Sequence, residues 1–272
     1  MVYTYKHLNE SLSNLTIPSF SIGKTVLGRE IFCLRIGNGT KKILINATHH
    51  AMEWITSKIL VQFAENYSKC LKSEFSLFII PMVNPDGIEI HLGNEKPIHG
   101  KAERLKNHTL MNWQSNANGV DLNHNYDALW HTSKSLEPEN GILGPSGTRF
   151  SGEAPESEPE TRALANFTRS LKPDIAIALH TQGRVIYYDF CGHVPPRGFE
   201  LGVAMAHRSG YNLEIPEGIT SYGGYKDWVI KKFNRPAYTI ELGYGTNPLP
   251  ISNFDDIYNE FVPIIYELFE NI

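Results

Sequence analysis

The sequence predicts an α/β fold, in which a single domain is built on a mixed, mostly parallel twisted sheet with helices on both faces. Apolar runs of strand length alternate with stretches whose apolar residues recur at helical spacing. Several of these runs are continuously apolar, which is typical of strands that are covered on both faces. The length of 272 residues suits one large domain. We therefore expect residues 1–272 to form one domain, with residues 1–20 as an N-terminal extension.

The predicted strands bring polar residues to one edge of the sheet. Residues 21–37 alternate loosely between apolar and polar and predict a β-hairpin. Largely apolar runs predict buried strands at residues 43–45, 75–80, 175–179 and 237–242, the last carrying Glu241. Ligands of such sheets tend to bind beyond the carboxyl ends of the strands. His50 and His180 follow two of these ends and are therefore candidate functional residues.

Helices are predicted at residues 54–68 and over the last twenty residues, the second capped by Asn253 and bent by Pro263. Asn84-Pro85-Asp86-Gly87 is a strong turn signal. Ser157, with Glu160 three residues later, predicts an N-cap and a capping box ahead of a helix with Pro159 in its first turn. Residues 91–150 predict long irregular connections, which are often functional.

Composition and charge count against several classes of protein. The net charge of −4 leaves no excess of Lys and Arg to neutralise phosphates, so no nucleic-acid partner is expected. No apolar run reaches the roughly 18 residues of a membrane span. The three cysteines are far apart and form neither a disulfide framework nor a cysteine zinc site. The polar N-terminus lacks the apolar core of a signal peptide, so a cytoplasmic location is the default expectation.

A histidine and a glutamate with metal-ligand spacing follow the strand at residues 43–45. His50 and Glu53 are three residues apart, and on a helical turn such side chains share a face. Catalytic zinc takes three protein ligands, nitrogen or oxygen, plus a water. His180 is the best candidate for the third ligand. His49 fits the first position as well as His50 does, and an isolated His-x-x-Glu is a weak signal on its own.

Several separated segments together resemble the zinc carboxypeptidase family, over nearly the whole chain from about Ile22. These segments are residues 48–54 (THHAMEW), 84–87 (NPDG), 118–123 (NGVDLN), 180–182 (HTQ) and 239–243 (TIELG). In the family's first motif the ligand histidine is followed by a small residue and then, two later, by Glu. That order favours His50 over His49.

The resemblance implies a peptidase with one Zn²⁺ ion per chain, held by His50, Glu53 and His180. Glu241 corresponds to the family's general base, which takes a proton from the zinc-activated water and passes it to the leaving amine.

Two further residues take family roles in the loop at residues 118–123. Asp121 corresponds to the residue that accepts from the other ring nitrogen of the first ligand histidine and fixes its tautomer. Asn123 corresponds to a residue that binds a carboxylate or a carbonyl of the peptide substrate.

Two positions depart from the digestive members of the family. Those enzymes clamp the C-terminal carboxylate of the substrate with an Arg where this chain has His124. A related loop pattern supplies an Arg for the oxyanion where this chain has Gln114, a neutral amide that donates a hydrogen bond without charge. Arg149, in the loop-rich region, is a candidate to supply a charge. These differences count against ordinary C-terminal carboxypeptidase activity.

Residues 49–56 and 222–228 resemble the bacterial γ-D-glutamyl-L-diamino acid endopeptidase I-like branch of the family. Members of that branch cut the bond between γ-D-Glu and meso-diaminopimelate in cell-wall peptides. Lys226 falls where the family contacts the side chain after the cut, and a cation there favours an acidic group such as the distal carboxylate of diaminopimelate. The alternative is a solvated lysine at a helix start. Tyr222 is a candidate for the family's mobile tyrosine, although the usual position aligns nearer Ile219.

Some members of this branch carry wall-binding LysM repeats ahead of the catalytic domain, and the sequence shows none. The expected substrate is therefore a soluble muropeptide.

Three other functions fit parts of the sequence. A general metallocarboxypeptidase or a zinc deacylase of acylated amino acids would share the metal motif, but the residues at 118–123 and 222–228 count against the deacylase. A catalytically silent peptide-binding module would usually lack a ligand or the base, and here all four are present. Ser21 and Lys24 match Ser-x-x-Lys of some serine enzymes, but they lie in the predicted hairpin without the accompanying motifs.

Overall fold

The predicted apolar runs form the central strands of one mixed sheet. A computed structural model describes residues 2–98 and 112–272. The strands within these ranges are β1 (Ser19–Lys24), β2 (Glu30–Ile36), β3 (Lys41–Ala47), β4 (Phe75–Ile80), β5 (Ile175–His180), β6 (Val185–Tyr187), β7 (Asn212–Glu214) and β8 (Ala237–Glu241). Their order is β1-β2-β4-β3-β5-β8-β6-β7. The central strands β4, β3, β5 and β8 are parallel, and antiparallel pairs join β1 to β2, β2 to β4 and β6 to β8, which confirms the fold class.

Helices pack on both faces of the sheet and explain the lack of polar alternation in its central strands. They are α1 (Tyr5–Asn14), α2 (Ile55–Tyr67), α3 (Pro85–His91), α4 (Trp130–Leu136), α5 (Pro159–Leu171), α6 (Gly198–Ser209), α7 (Tyr225–Phe233) and α8 (Phe254–Asn271). In β3, Ile43 and Ile45 pack in the core layer of α2, α6 and α8, whereas Leu44 packs in the layer of α5 and α7. Alternate side chains of a strand point to opposite faces, so both sets must be apolar.

The order of the strands opens a crevice between β3 and β5. The chain passes from β3 to β4 on one side, and from β5 to β8 on the other. In open α/β sheets, ligands bind at such a reversal of direction, beyond the carboxyl ends of the strands. His180 is the last residue of β5 and lies opposite Glu241, the last residue of β8. The topology therefore places three of the predicted site segments at one edge.

Two local expectations are wrong. The Asn84-Pro85-Asp86-Gly87 segment is the beginning of α3 rather than a free turn, and the Asn84 side chain accepts from the N–H of Gly87 at 2.9 Å. No capping box starts α5. Glu158 is its N-cap residue and makes no capping hydrogen bond with its side chain. Glu160, itself buried, instead accepts from the Val26 N–H and from the Asn116 amide.

Some expectations for the elements are confirmed, the bend at Pro263 stays a prediction, and several elements were not expected. Strands β1 and β2 form the predicted hairpin. Asn253 precedes α8, as predicted, but its side chain makes no capping hydrogen bond. The sequence patterns did not indicate α1, α4, α6, β6 or β7. Residues 99–111, part of the predicted irregular region, lie outside the described residues.

The segment treated as an N-terminal extension contributes to the core. Tyr3, Leu8 and Ile17 are buried against the layer of α2 and α8. In the described part of the chain, no helix combines the length and the apolar character that crossing a membrane requires.

Candidate metal centre

Three side chains that can bind a metal ion lie close together beyond the ends of β3 and β5. After β3, Thr48 at φ 59° turns the chain, and a short 3-10 turn at Ala51–Glu53 brings Glu53 back over His50. His50 Nδ1 lies 2.9 Å from Glu53 Oε1, and His180 Nδ1 lies 3.0 Å from Glu53 Oε2. The two Nδ1 atoms are 3.2 Å apart. Two imidazole nitrogens and one carboxylate therefore face one point.

The donor set fits a single zinc ion. One ligand atom from each of His50, Glu53 and His180 can be chosen so that all three lie within 4.8 Å of one another. Ligand atoms held about 2.0–2.2 Å from a tetrahedral zinc are themselves about 3.3–3.6 Å apart, slightly more than the 2.9–3.2 Å found here. Glu53 and His180 are 2% and 1% exposed. A carboxylate this deeply buried is costly unless a cation or hydrogen-bond donors compensate it.

Asp121 holds His50 in the orientation that frees its Nδ1 atom. His50 Nε2 lies 3.1 Å from Asp121 Oδ1, so a proton on Nε2 is donated to the carboxylate and the lone pair remains on Nδ1. The N–H groups of Asn123 and Arg149 also donate to Asp121, at 3.1 and 2.9 Å. Burial alone would raise the pKa of Asp121, but a protonated His50, through its charge and its hydrogen bond, would hold that pKa well below its usual value.

His49 is placed outside this cluster. Its Nε2 atom lies 2.8 Å from the hydroxyl of Tyr126, and its ring is fully buried. Burial, and then the neighbouring His180, keep the pKa of His49 well below its usual value, so the ring is neutral. The structure therefore favours His50 over His49 as the metal-facing histidine.

Glu241 lies beside the ligand cluster in a cleft of about 170 Å³. The lining residues are His50, Asn123, His124, Tyr187, Pro216, Thr220, Gly224, Lys226, Asp227, Thr239 and Glu241. Burial raises the pKa of Glu241 to about 7, against the opposing effect of His180. A carboxylate with such a pKa can both accept and return a proton near neutral pH.

Asn123 and His124 line the cleft as the sequence predicts, but they differ in what they offer to a ligand. The Asn123 Oδ1 accepts from the Tyr225 N–H at 3.1 Å, which leaves the amide nitrogen as a donor. His124 is 7% exposed and its Nδ1 lies 3.4 Å from the Ser133 hydroxyl. Burial lowers the pKa of His124, so the ring is a neutral group where the digestive enzymes have a cation.

Three predicted substrate-binding residues are not part of the lining of this cleft. The backbone carbonyl of Gln114 accepts from the Ala51 N–H at 3.0 Å, which places it against the metal-binding turn. Arg149 is exposed and contacts Asp121 only through its backbone N–H. Tyr222 is half-buried.

Lys226 is buried, so its interpretation as a solvated helix-start lysine is wrong. It is the second residue of α7 and is 3% exposed. Its Nζ atom donates to the carbonyl of Asp189 and to Asp227 Oδ1. No sequence pattern indicated Tyr187 or Asp189, because β6 has only three residues and Asp189 lies just after it. Thr239 lies in the segment at residues 239–243, but the sequence suggested no role for it.

Comparisons with known proteins agree with this geometry. A family model described as zinc carboxypeptidase matches residues 1–263. Gamma-D-glutamyl-L-diamino acid endopeptidase 1 of Lysinibacillus sphaericus is 38% identical over 262 residues, which are 89% of this chain and 65% of that protein. An uncharacterised protein of Bacillus subtilis (strain 168), YqgT, is 36% identical over 90% of this chain and 70% of its own length. The chain thus spans only about two thirds of the length of these relatives.

Solved structures show the same fold. Bovine thrombin-activatable fibrinolysis inhibitor, in complex with tick carboxypeptidase inhibitor, has a TM-score of 0.75 at 19% identity. The superposition covers 99% of this chain and 97% of that one.

Proposed function

Since the chain belongs to the zinc carboxypeptidase family, we propose that it is a zinc-dependent peptidase that cuts the bond between γ-D-glutamate and meso-diaminopimelate in cell-wall peptides. The observation that carries the peptidase proposal is the meeting of His50, Glu53 and His180 at one edge of a cleft that also holds Glu241. The choice of bond is supported by the relative of Lysinibacillus sphaericus and by a buried lysine in the cleft.

The roles of the residues follow from their positions. His50 Nδ1, Glu53 and His180 Nδ1 would hold the zinc, and Asp121 would keep the proton of His50 on Nε2. Zinc, when bound, supplies Lewis acidity that polarises the scissile carbonyl and lowers the pKa of a water. Glu241 would accept a proton from the attacking water and return it to the leaving amine.

Specificity would come from the side of the cleft away from the metal. Asn123 would donate its amide N–H to a carboxylate or a carbonyl of the peptide. His124, being neutral, provides no ionic clamp for a C-terminal carboxylate. Lys226 would receive the side chain after the cut. Gln114, Tyr222 and Arg149 stay predicted substrate contacts outside the lining of the cleft.

The proposed substrate is a soluble muropeptide, and the proposed location is the cytoplasm. Cell fractionation followed by detection of the protein would test the location. Recovery of the protein in the wall fraction would contradict it.

The test is to incubate the purified protein with L-Ala-γ-D-Glu-meso-diaminopimelate and identify the products by mass. We expect free diaminopimelate and L-Ala-D-Glu, abolished by a chelator and restored by zinc. Glu241→Gln removes the proton acceptor and should lower kcat by at least about 100-fold, while zinc content stays unchanged. Glu217→Gln, an exposed carboxylate next to the cleft-lining Pro216, is the matched control and should leave kcat unchanged.

Two outcomes would contradict the proposal at different levels. Release of a C-terminal residue from general peptides, with the tripeptide untouched, would leave a peptidase but exclude the proposed bond. Zinc-loaded protein that cuts no peptide but hydrolyses acylated amino acids would exclude the peptidase proposal itself.

A further inference from the structure

One buried side chain contacts the backbone on both sides of His50. Asn84 is the N-cap residue of α3 and is fully buried. Its Nδ2 atom donates to the His49 carbonyl at 3.0 Å and to the Gln114 carbonyl at 3.2 Å. The Gln114 carbonyl also accepts from the Ala51 N–H at 3.0 Å. The peptide groups before and after His50 are therefore linked through one amide side chain.

The orientation of the Asn84 amide is fixed by its surroundings. Its Oδ1 atom accepts from the Gly87 N–H at 2.9 Å, so its Nδ2 atom faces two carbonyls, which can only accept. Gly87 leaves the space that this amide occupies. A Cβ atom at residue 87 would lie 2.5 Å from Asn84 Nδ2 and 2.7 Å from Asn84 Oδ1. The order of residues in the segment at 84–87 therefore serves the amide as well as the start of α3.

The turn that carries His50 needs such contacts because part of it is strained. Thr48 has φ 59°, a conformation that β-branched residues rarely adopt. Strained residues of this kind persist only where the surrounding structure holds them. The Asn84 N–H donates to the Thr48 carbonyl at 3.1 Å, so Asn84 contacts the turn through its backbone as well as its side chain. All of these contacts are to backbone atoms, so they do not use the side chains of His50 and Glu53.

We propose that Asn84 is a positioning residue, which holds the turn of His50 and Glu53 in its metal-binding geometry before the metal binds. A site that is ordered in advance loses less conformational entropy on binding and therefore binds more tightly. The same amide also holds the segment of Gln114 against this turn. The proposal rests on the zinc-dependent part of the proposed function and does not depend on which peptide bond is cut.

The first experiment uses the wild-type protein with and without zinc. Amide hydrogen exchange, followed by NMR, reports how often the bond from the Ala51 N–H to the Gln114 carbonyl opens. If Asn84 already holds the turn, zinc should slow the exchange of the Ala51 N–H no more than it slows the buried N–H groups of β3. A clearly larger effect on Ala51 than on β3 would mean that the metal itself orders the turn, and would overturn the inference.

The second experiment replaces the Asn84 amide by a group of the same shape. Asn84→Asp keeps the acceptor for the Gly87 N–H, and Asp is as good an N-cap residue as Asn. Its carboxylate cannot donate to the His49 and Gln114 carbonyls, so both contacts become repulsive. We expect zinc affinity to fall about tenfold or more, measured by competition with a chelator of known affinity.

A second variant and a matched control accompany Asn84→Asp. Asn84→Ser adds no charge, and its hydroxyl has a single hydrogen where the amide donates twice. It should also lower zinc affinity. Asn66→Asp is the control, because Asn66 is exposed and its amide donates to the Tyr258 hydroxyl on another face of the molecule. That variant should bind zinc as tightly as the wild-type protein.

Denaturant unfolding of the zinc-free variants separates positioning from a general effect on stability. Asn84 variants that unfold more easily, yet bind zinc with wild-type affinity, would show a purely structural role and overturn the inference. Weaker zinc binding under conditions in which the variants are fully folded would support it. Zinc binding and amide exchange are measured without a peptide, so failure to cut the γ-D-glutamyl bond would contradict the proposed function alone. A wild-type protein that binds no zinc would overturn the inference.

Discussion

At the scale of single residues, the proton on His50 decides which of its nitrogens is free to bind a metal. His50 Nε2 faces Asp121 and His50 Nδ1 faces Glu53 and His180. A carboxylate accepts from Nε2–H and so keeps the lone pair on Nδ1. This one contact links the loop that carries Asp121 to the ligand cluster.

Replacing the carboxylate of Asp121 by an amide tests this link. Asp121→Asn leaves a single acceptor oxygen where the N–H groups of Asn123 and Arg149 and the ring of His50 all need one. With an NH₂ group facing Nε2, the proton of His50 moves to Nδ1 and opposes metal binding. We expect zinc affinity to fall by about 10- to 100-fold, measured by competition with a chelator of known affinity.

The control for Asp121→Asn is Asp127→Asn, which changes an exposed carboxylate paired with Lys231. That variant should bind zinc as tightly as the wild-type protein. Unchanged zinc affinity in Asp121→Asn, together with reduced activity, would mean that Asp121 acts on the substrate instead.

At the scale of the elements, the start of α5 shows why local sequence signals can mislead. The spacing of Ser157 and Glu160 fits a capping box, but Glu160 is fully buried and accepts from the Val26 N–H and the Asn116 amide, each at 3.0 Å. These donors come from distant segments of the chain. Partners that are distant in sequence therefore determine the position of this side chain. A short stretch of sequence around residue 160 does not include these partners.

The same burial gives α5 a measurable pH dependence. Burial raises the pKa of Glu160 to about 7, from 4.5. The folded state then binds more protons than the unfolded state between these values, so the free energy of unfolding falls as pH rises through that window. Glu160→Gln removes the titration, and the downward slope should shrink by up to about 1.4 kcal/mol per pH unit. Denaturant unfolding at several pH values between about 5 and 7 measures the slope.

The pH dependence of the free energy of unfolding separates the loss of the Glu160 titration from any destabilisation by Glu160→Gln that is the same at every pH. Glu160→Gln also loses one acceptor, but that loss shifts the stability equally at each pH. Glu153→Gln, an exposed carboxylate in the preceding segment, should leave the slope as it is in the wild-type protein. An unchanged slope in Glu160→Gln would mean that Glu160 titrates at the same pH when folded and unfolded.

The central strands were predictable from the sequence, whereas the edge of the sheet was not. Strands β3, β5 and β8 are buried over most of their length on both faces, so most of their residues are apolar and the strands stand out. Strands β6 and β7 have three residues each, too few for a periodic pattern. The metal-facing residues follow the central strands and were therefore found, but Asp189 follows β6 and was missed.

At the scale of the whole molecule, the three residues that would bind the metal come from both halves of the sheet. His50 and Glu53 follow β3, which leads to β4, and His180 ends β5, which pairs with β8 on the other side. Sequence alone could assign His50 and Glu53 to one turn. The approach of His180 depends on the parallel pairing of β3 with β5; the strand patterns predicted a mostly parallel sheet but not which strands are neighbours.

Because the three ligands come together only in the folded chain, zinc should stabilise the whole domain. An ion that binds the folded state alone adds about 2.7 kcal/mol at 100 times its dissociation constant, roughly 5–10 °C in Tm for a domain of this size. We expect a chelator to lower Tm by that amount and added zinc to restore it. Glu53→Gln, which weakens one buried ligand, should remove most of the response, whereas Glu217→Gln should keep it in full. Equal Tm values with and without zinc, at saturating occupancy, would mean that the ion binds the unfolded chain equally well, and that His180 is not brought to the other two ligands by folding.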